Sequence, residues 1–261
     1  MGHLSVKRRA FFVTGTDTEV GKTFVSEALL ILLNKKGLLT CGYKPIAAGC
    51  ERTPEGLRNE DALALQQHSS IDLHYDEVNP IAFEAAIAPH LAAQNLSADT
   101  TSQPISIDTV REGFNCIFQK HPDVIIVEGA GGWRLPLGID YEGQPRYLSE
   151  FVVEQNLSVI LVVGMRLGCL NHAVLTAECI RNDGLKIAGW VANQMEPDMP
   201  YLDENVDSLK SLLDAPFLGL VPRVNTAEQA SAYLDLSAID IINSEKGSFD
   251  LFGLMVKSDF V

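Results

Sequence analysis

The sequence predicts a single-domain α/β protein with a doubly wound, mostly parallel β-sheet and helices on both faces. The first observation is length, since 261 residues suit one large domain of this class. The second is order: short apolar, β-branched runs alternate with segments of helical periodicity. The third is composition, because 46% hydrophobic residues and a mean hydropathy of +0.09 support a buried core and exclude disorder. We assign residues 1–242 to this domain and residues 243–261 to a C-terminal tail of unassigned role.

Continuous apolar runs predict the strands, because a parallel sheet is covered on both faces. Such runs span residues 10–13, 124–127 and 159–163, and further short β-rich segments predict strands at 39–43, 186–192 and 216–221. Apolar residues at spacings of three and four predict the helices. They span residues 21–36, 61–67, 106–120, 171–181 and 201–213. The polar, Ser- and Thr-rich residues 93–103 are predicted to be a surface excursion.

The charge of the chain restricts its partners. Twenty basic and 34 acidic residues give a net charge of −14. Nucleic acid and anionic membranes both require a basic face, so neither is an expected partner. No apolar run approaches the roughly 18 residues of a membrane-spanning helix. The five cysteines contain no C-x-x-C pair and predict reduced thiols in a cytoplasmic protein.

The strongest chemical signal is GTDTEVGKT at residues 15–23, which follows a predicted strand and opens a predicted helix. Glycines allow backbone N–H groups to face phosphates, Lys22 can reach the β- and γ-phosphates, and the Thr23 hydroxyl can ligate Mg²⁺. Five residues separate Gly15 from Gly21, one more than the strict phosphate-loop pattern allows. The context still predicts a P-loop NTPase-like fold that binds ATP or GTP.

Further candidate residues stand where predicted strands end. Glu128 follows the apolar strand 124–127 and precedes four small residues, as expected of an acid that holds Mg²⁺. Lys44 ends the second strand and is expected in the same crevice, where it could neutralise an anion. The spacing of Asp61 by itself predicts only a favourable charge at the start of a helix, which is an ordinary role for an acidic residue. Asn193 could read an adenine edge or serve as a turn residue.

His90, His172 and Cys169 predict no chemistry. The histidines lack the partner spacing of a metal site, and the cysteine lacks a His or Lys at a fixed offset. From the residues alone we therefore expect a Mg²⁺-dependent ATP or GTP enzyme with an additional lysine. The substrate remains open at this stage.

These motifs together resemble those of the dethiobiotin synthetase family. The resemblance covers about residues 11–222 and is carried by GTDTEVGKT at 15–23, GYKPIAAG at 42–49, TPEGLRNEDALAL at 53–65, VEGAGGW at 127–133, LGCLNHA at 167–173 and AGWVAN at 188–193. It implies an ATP- and Mg²⁺-dependent ring closure on diaminopelargonate. CO₂ adds to one amine to give a carbamate, ATP phosphorylates the carbamate, and the second amine displaces phosphate to close a ureido ring.

The resemblance also implies residue roles. Catalysis would fall to Thr18, Lys22 and Lys44, and Mg²⁺ would be ligated by Thr23, Asp61 and Glu128, which reverses the spacing-based interpretation of Asp61. The nucleotide would be held by Glu19, Val20, Gly21, Lys22, Thr23, Phe24, Asp61, Glu128, Gly129, Ala130, Gly131, Asn193, Gln194, Pro222, Arg223 and Val224. The substrate would contact Thr18, Lys44, Ala48, Gly131, Leu167, Gly168, Cys169 and Asn171. The family is homodimeric, and the segment at 167–171 would reach the partner's substrate.

The chain departs from the family at Ala48, where members commonly carry a serine whose hydroxyl contacts substrate. The loop at 134–147 also looks longer than usual. Two alternatives stay open here. A cobyrinate-type amide ligase would share the nucleotide domain but needs a glutaminase domain. A partitioning-type switch ATPase would carry an extra lysine near the start of the loop, where this chain has Gly15 and Thr16.

Overall fold

A computed structural model describes residues 9–96, 105–239 and 241. The strands are β1 (Arg9–Gly15), β2 (Thr40–Tyr43), β3 (Ile46–Ala48), β4 (Glu51–Thr53), β5 (Gly56–Arg58), β6 (Ile81–Phe83), β7 (Val124–Gly132), β8 (Pro136–Ile139), β9 (Pro145–Tyr147), β10 (Ser158–Met165), β11 (Ile187–Gln194) and β12 (Phe217–Val221). The helices are α1 (Lys22–Lys35), α2 (Glu60–His68), α3 (Tyr75–Val78), α4 (Pro89–Leu96), α5 (Ile107–Gln119), α6 (Leu148–Glu154), α7 (Cys169–Asn182), α8 (Leu202–Leu212) and α9 (Ala227–Ser231).

Six of the strands form one parallel sheet in the order β12-β11-β10-β1-β7-β2. This confirms the predicted fold class. Each of the six predicted strands has its counterpart in this sheet, with bounds that differ by a few residues. The apolar runs are buried because the sheet is covered on both sides, as in the central strands β1, β7 and β10.

The direction of the strand connections reverses in the middle of the sheet. The chain passes from β1 through α1 to β2 at one edge, and later connections step back through β7 and β10 to β12 at the other edge. Right-handed crossovers then place α1 on one face and α7 and α8 on the other. Accordingly, α1 contacts α2 and α9, whereas α7 contacts α8. The connections leave β1 and β10 in opposite directions, which opens a crevice at the carboxyl ends of these two strands, beside β7, where ligands bind in such sheets.

Burial of α1 explains why its sequence is apolar on most sides. Its buried residues include Leu29, Leu30 and Leu33, and α9 and α2 cover surface that the sheet does not reach. The helix ends where Gly37, with φ of +79°, donates its N–H to the carbonyl of Asn34 at 2.9 Å. Burial of side chains along its whole length holds α1, and with it the preceding loop, against the sheet.

The structure corrects two sequence predictions. Glu128 was expected to end its strand, but β7 continues to Gly132, because a register shift against β1 between Val13 and Gly15 lets pairing resume beyond the shift. Glu128 therefore lies inside the strand. Residues 93–96 complete α4 and are not a surface excursion. The rest of that predicted excursion, residues 97–103, and the predicted tail at 243–261 lie outside the described residues.

Three small sheets were not predicted: β3 with β6, β4 with β5, and β8 with β9. The last of these pairs forms the body of the loop at 134–147, whose predicted unusual length stays a prediction. All five cysteines are free thiols. Within the part of the chain that the structure describes, no helix is long and apolar enough to cross a membrane.

Candidate active site

The GTDTEVGKT loop joins β1 to α1 at the crevice. Its path begins where the N–H of Thr16 donates to the carbonyl of Val162 on β10 at 3.0 Å. It closes at Gly21, which has φ of +82° and caps α1 without a side chain. The first N–H groups of a helix lack partners within the helix, so this end of α1 can accept an anion. The loop thus has the geometry of a phosphate-binding element.

Two contacts brace the loop from the neighbouring strands. Val20 is buried between the ends of β1 and β10, so that a Cβ on Gly15 or Gly164 would lie within 2.8 Å of its methyl groups. Asn193, on β11, donates from Nδ2 to the carbonyl of Val20 at 2.9 Å. A Cβ on Gly21 would lie 2.1 Å from that Nδ2. The structure therefore places Asn193 against the loop, while its contact with adenine stays a prediction.

Lys44 is the centre of a buried charged cluster. Its ammonium donates to Glu128 Oε1 at 2.6 Å, to Asp61 Oδ2 at 2.8 Å and to the carbonyl of Gly129 at 3.3 Å. The Thr23 hydroxyl donates to the same Glu128 oxygen at 2.8 Å. Lys44 is 3% exposed and Glu128 is 0% exposed. Residues from the β2 end, α1, α2 and β7, far apart in sequence, are therefore brought to one point.

Charge compensation controls protonation in this cluster. Burial alone would lower the pKa of Lys44, but the carboxylates of Glu128 and Asp61 outweigh it and raise that pKa. Burial would likewise raise the pKa of Asp61, but the Lys44 ammonium holds it below its usual value. The pKa of Lys22 falls to about 8, through burial and then through repulsion by Lys44. Lys22 donates to the carbonyl of Asp17 at 3.1 Å.

The chemistry of the cluster fits Mg²⁺. Thr23, Asp61 and Glu128 offer hydroxyl and carboxylate oxygens, the ligands that Mg²⁺ prefers. Glu128 Oε2 is buried and has no hydrogen-bond partner among the described residues, which is costly for a carboxylate oxygen unless a cation or donor meets it. Across residues 9–96, 105–239 and 241, no group of three or more His, Cys, Asp or Glu side chains could hold a metal. The two carboxylates would therefore share the ion with a hydroxyl, water and phosphate oxygens.

The far side of the crevice is lined by the small residues of β7. Thr18 Oγ1 lies 3.8 Å from the position of a Cβ on Gly131, which has φ of +62°. A Cβ on Gly129 would lie 2.8 Å from the ring of Phe12. Gly131 therefore leaves space between the loop and β7, whereas Gly129 makes room for the buried Phe12 ring. Ala130 is half-buried between the two glycines.

The other predicted site residues lie outside the charged cluster around Lys44. Ala48 ends β3 and is half-buried. Leu167 is 100% exposed and Asn171 is exposed, whereas the side chain of Cys169 is buried at the start of α7. Arg223 is exposed after β12. Two of the remaining predicted residues have left-handed backbones: Gly168, with φ of +95°, lies before α7, and Glu19, with φ of +58°, lies in the loop. Gln194 donates to the carbonyls of Glu196 and Pro197. The half-buried residues are Phe24 on α1, Pro222 and Val224.

Sequence reasoning missed the pair formed by Asp17 and Arg166. Arg166 follows β10 and donates from Nη2 to Asp17 Oδ2, while Asp17 Oδ1 accepts the N–H of Thr18 at 2.8 Å. The available signal was an acid inside the phosphate loop and a cation directly before LGCLNHA. Of the histidines, His172 is exposed, and His90 has a buried Nδ1 without a partner in the described structure.

Comparisons with solved structures indicate the fold. A chain of the MinC:MinD cell division protein complex of Aquifex aeolicus superposes with a TM-score of 0.50 at 15% identity, covering 86% of each chain. A ParA family ATPase from Chlorobium tepidum has a TM-score of 0.50 at 14% identity, covering 90% of this chain and 92% of its own. At such identities the likeness supports the nucleotide-binding fold alone.

Comparisons of sequence are more specific. A protein-family model described as an AAA domain matches residues 9–231. The protein named ATP-dependent dethiobiotin synthetase in Cellvibrio japonicus is 50% identical over 240 residues, covering 90% of this chain and 99% of its own. Its namesake in Aeromonas salmonicida is 47% identical over 233 residues, covering 88% and 99%. The alternatives of an amide ligase and a switch ATPase are therefore not favoured. The chain belongs to the ATP-dependent dethiobiotin synthetase family.

Proposed function

We propose that this chain is a dethiobiotin-forming ligase. It would convert 7,8-diaminopelargonate, CO₂ and ATP into dethiobiotin, ADP and phosphate, a step of biotin synthesis. The observation that carries the proposal is the meeting of Lys44, Asp61 and Glu128 beside Lys22 and Thr23 of the phosphate loop. Two lysine ammonium groups next to a nucleotide site can supply the positive charge that phosphoryl transfer to a second anion requires.

The reaction balances in three steps. An amine nitrogen of the substrate adds to CO₂ and loses a proton, giving a carbamate. A carbamate oxygen attacks the γ-phosphorus of ATP, which forms a carbamic–phosphoric anhydride and releases ADP. The second amine then attacks the anhydride carbonyl carbon, expels phosphate and loses a proton as the five-membered ureido ring closes. ATP is needed because the carbamate oxygen by itself is a poor leaving group.

Lys22 and Lys44 supply positive charge on the two sides of the transfer. Lys22, at the first position of α1, would hold the β- and γ-phosphates. Lys44 stays an ammonium through its two carboxylate partners and would bind the carbamate together with Thr18. Both groups lie in the same buried region, so charge that develops on the moving phosphoryl group is stabilised without reorganisation.

Thr23, Asp61 and Glu128 would hold the Mg²⁺. When bound, the ion neutralises phosphate charge and polarises the transferred group. The residues themselves contribute oriented oxygens: Thr23 and Glu128 already touch at 2.8 Å, and Glu128 is immobilised inside β7. Asp61 lies in the first turn of α2 and reaches the cluster through Lys44.

The remaining assignments are part of the same proposal. The nucleotide would be enclosed by three groups of residues: Val20 and Gly21 with their loop neighbours, Gly129 to Gly131, and Asn193 with Gln194 and residues 222–224. Ala48 and the segment at 167–171 would contact substrate. The wholly exposed Leu167 supports a homodimer in which this segment crosses to the partner. We also infer a cytoplasmic location, and a domain of residues 1–242.

The test is turnover of Mg–ATP with and without the diamine and bicarbonate, with the product mass read by chromatography. ADP release that requires both co-substrates, with dethiobiotin in equal amount, is the expected result. ADP release indifferent to the diamine would overturn the ligase and point to a switch ATPase. Amide formation from ammonia or glutamine on a carboxylate would instead point to an amide ligase.

A further inference from the structure

We infer that Arg166 is a positioning residue, which orders the phosphate loop by holding Asp17; this role rests on the proposed function and extends it. The contact joins two elements that the function uses separately. Arg166 lies directly after β10 and directly before the segment at 167–171. Asp17 lies between the first residues of the loop and Thr18.

Asp17 contacts both of the loop residues that are proposed to bind anions. Its Oδ1 accepts the N–H of Thr18 at 2.8 Å, and its carbonyl accepts the ammonium of Lys22 at 3.1 Å. Thr18 is proposed to bind the carbamate and Lys22 the phosphates. A rotation of Asp17 would therefore displace both groups that flank the transfer.

Arg166 supplies the constraint from outside the loop. Its Nη2 donates to Asp17 Oδ2, so the two carboxylate oxygens have separate donors and the carboxylate has one orientation. The base of the contact is rigid, because the N–H of Thr16 is bonded to β10 at Val162 and β10 pairs with β1. Arg166 thereby fixes the loop to the sheet at a point that backbone pairing does not reach.

The charge of the pair matters as much as its geometry. Asp17 carries a negative charge in the loop that has to receive the phosphates of ATP and a carbamate. Without Arg166 that charge would repel both anions. Both side chains are part-exposed, at 38% for Arg166 and 46% for Asp17. Exposed ion pairs contribute little to folding, so the effect is expected in binding and not in stability.

The experiment measures the Kd of Mg–ATP by calorimetry for Arg166→Gln, Arg166→Lys, Asp17→Asn and the double variant Asp17→Asn/Arg166→Gln. We expect Arg166→Gln to raise Kd about tenfold and Arg166→Lys to stay within about threefold of the parent chain, because it keeps the charge. In the Asp17→Asn background, Arg166→Gln should change Kd less than about twofold, since the partner charge is gone. The melting temperature should stay within about 2 °C in each case.

Arg111→Gln is the matched control. Arg111 also forms exposed ion pairs, with Glu154 and Asp108 at 2.7 Å each, on the outer side of α5, so its loss should leave Kd unchanged. Parent-like binding by Arg166→Gln, or an undiminished effect in the Asp17→Asn background, would overturn the inference. Kd does not depend on the diamine. A parent chain that makes no dethiobiotin therefore refutes the proposed function, while the coupling between Arg166 and Asp17 is judged by the binding cycle alone.

Discussion

At the scale of single residues, the site is organised by compensation of buried charge. Glu128 is 0% exposed, and an ionised carboxylate at such a position is stable only with a partner. Lys44 provides that partner and also contacts Asp61, so one ammonium pairs with two carboxylates and leaves the group of three one negative charge. The same arrangement keeps Lys44 positively charged at neutral pH, as its proposed binding of an anionic carbamate requires.

Replacement of Lys44 tests this role. We expect Lys44→Ala to lower kcat by about 10²- to 10³-fold, because the charge next to the transferred group is lost. The Kd of Mg–ATP should stay within about threefold, since the phosphates are held by the loop. Steady-state turnover and calorimetry measure the two quantities. Lys210→Ala, at an exposed pair with Asp207 on α8, is the control, and full turnover by Lys44→Ala would remove Lys44 from the site.

Ala48 offers a gain-of-contact test. A serine hydroxyl at this half-buried position would add the substrate hydrogen bond that the resemblance to the family implies. We expect Ala48→Ser to lower KM for the diamine about fivefold, the equivalent of one hydrogen bond of roughly 1 kcal/mol, with kcat little changed. Initial rates over a range of diamine concentrations measure it. An unchanged or higher KM would show that position 48 does not face the substrate.

At the scale of elements, the functional unit is β1, the loop and the amino end of α1. Val20 packs between the ends of β1 and β10, and Asn193 binds the Val20 carbonyl. Gly21 allows both contacts because its backbone is left-handed and it has no Cβ. The loop is therefore held by side chains from β11 as well as by its own strand and helix. Such bracing keeps its N–H groups in place before a ligand arrives.

Substitutions at Gly21 and Gly37 separate the effect of a strained backbone on stability from the effect of a steric clash on Mg–ATP binding. Both have left-handed backbones, with φ of +82° and +79°, but a Cβ on Gly37 has nothing within 4 Å. Gly37→Ala should cost about 1 kcal/mol of unfolding free energy and leave Mg–ATP binding unchanged. Gly21→Ala should in addition raise Kd about tenfold or more, because Asn193 must move and release Val20. Urea unfolding and calorimetry make the comparison, and equal Kd values for the two variants would contradict it.

At the scale of the whole molecule, the sheet topology places the proposed functional elements together at the carboxyl ends of the strands. The reversal of strand connections brings the loop after β1 beside β7, and β2 delivers Lys44 from the far side of β7. The segment at 167–171 begins at the same end of the sheet, after β10, but its Leu167 side chain is fully exposed to solvent. An exposed leucine at this place suggests a second copy of the chain as its cover.

The oligomer can be tested at Leu167. We expect Leu167→Glu to weaken dimer formation at least about tenfold, because a charge would be buried at the contact, and to raise KM for the diamine. Sedimentation equilibrium and initial rates measure these effects. Leu39→Glu is the control, because Leu39 is half-exposed just before β2, at the opposite end of the sheet. A monomeric parent chain, or a dimer indifferent to Leu167→Glu, would contradict the proposed interface.

Local patterns in the sequence determined much of this protein. Apolar runs and short β-rich segments located all six strands of the main sheet, because parallel strands buried on both faces have no alternation to obscure them. The phosphate loop was recognisable because Gly-Lys-Thr lies between a predicted strand and a predicted helix, although the spacing of its glycines is one residue longer than the strict pattern. Motif resemblance then indicated the family, and the residue-level roles of Asp61 and of the segment at 167–171 came from that resemblance alone.

Only the tertiary structure decided which of these residues touch. The register shift between β1 and β7 keeps Glu128 inside its strand, and the convergence of β2, α2 and β7 brings Lys44, Asp61 and Glu128 together. The contact of Arg166 with Asp17 spans 149 positions, and no local spacing could reveal it. Long-range contacts depend on strand order and crossover direction, which a periodic pattern does not encode. The sequence therefore indicated the chemistry of the site but not the geometry of its contacts.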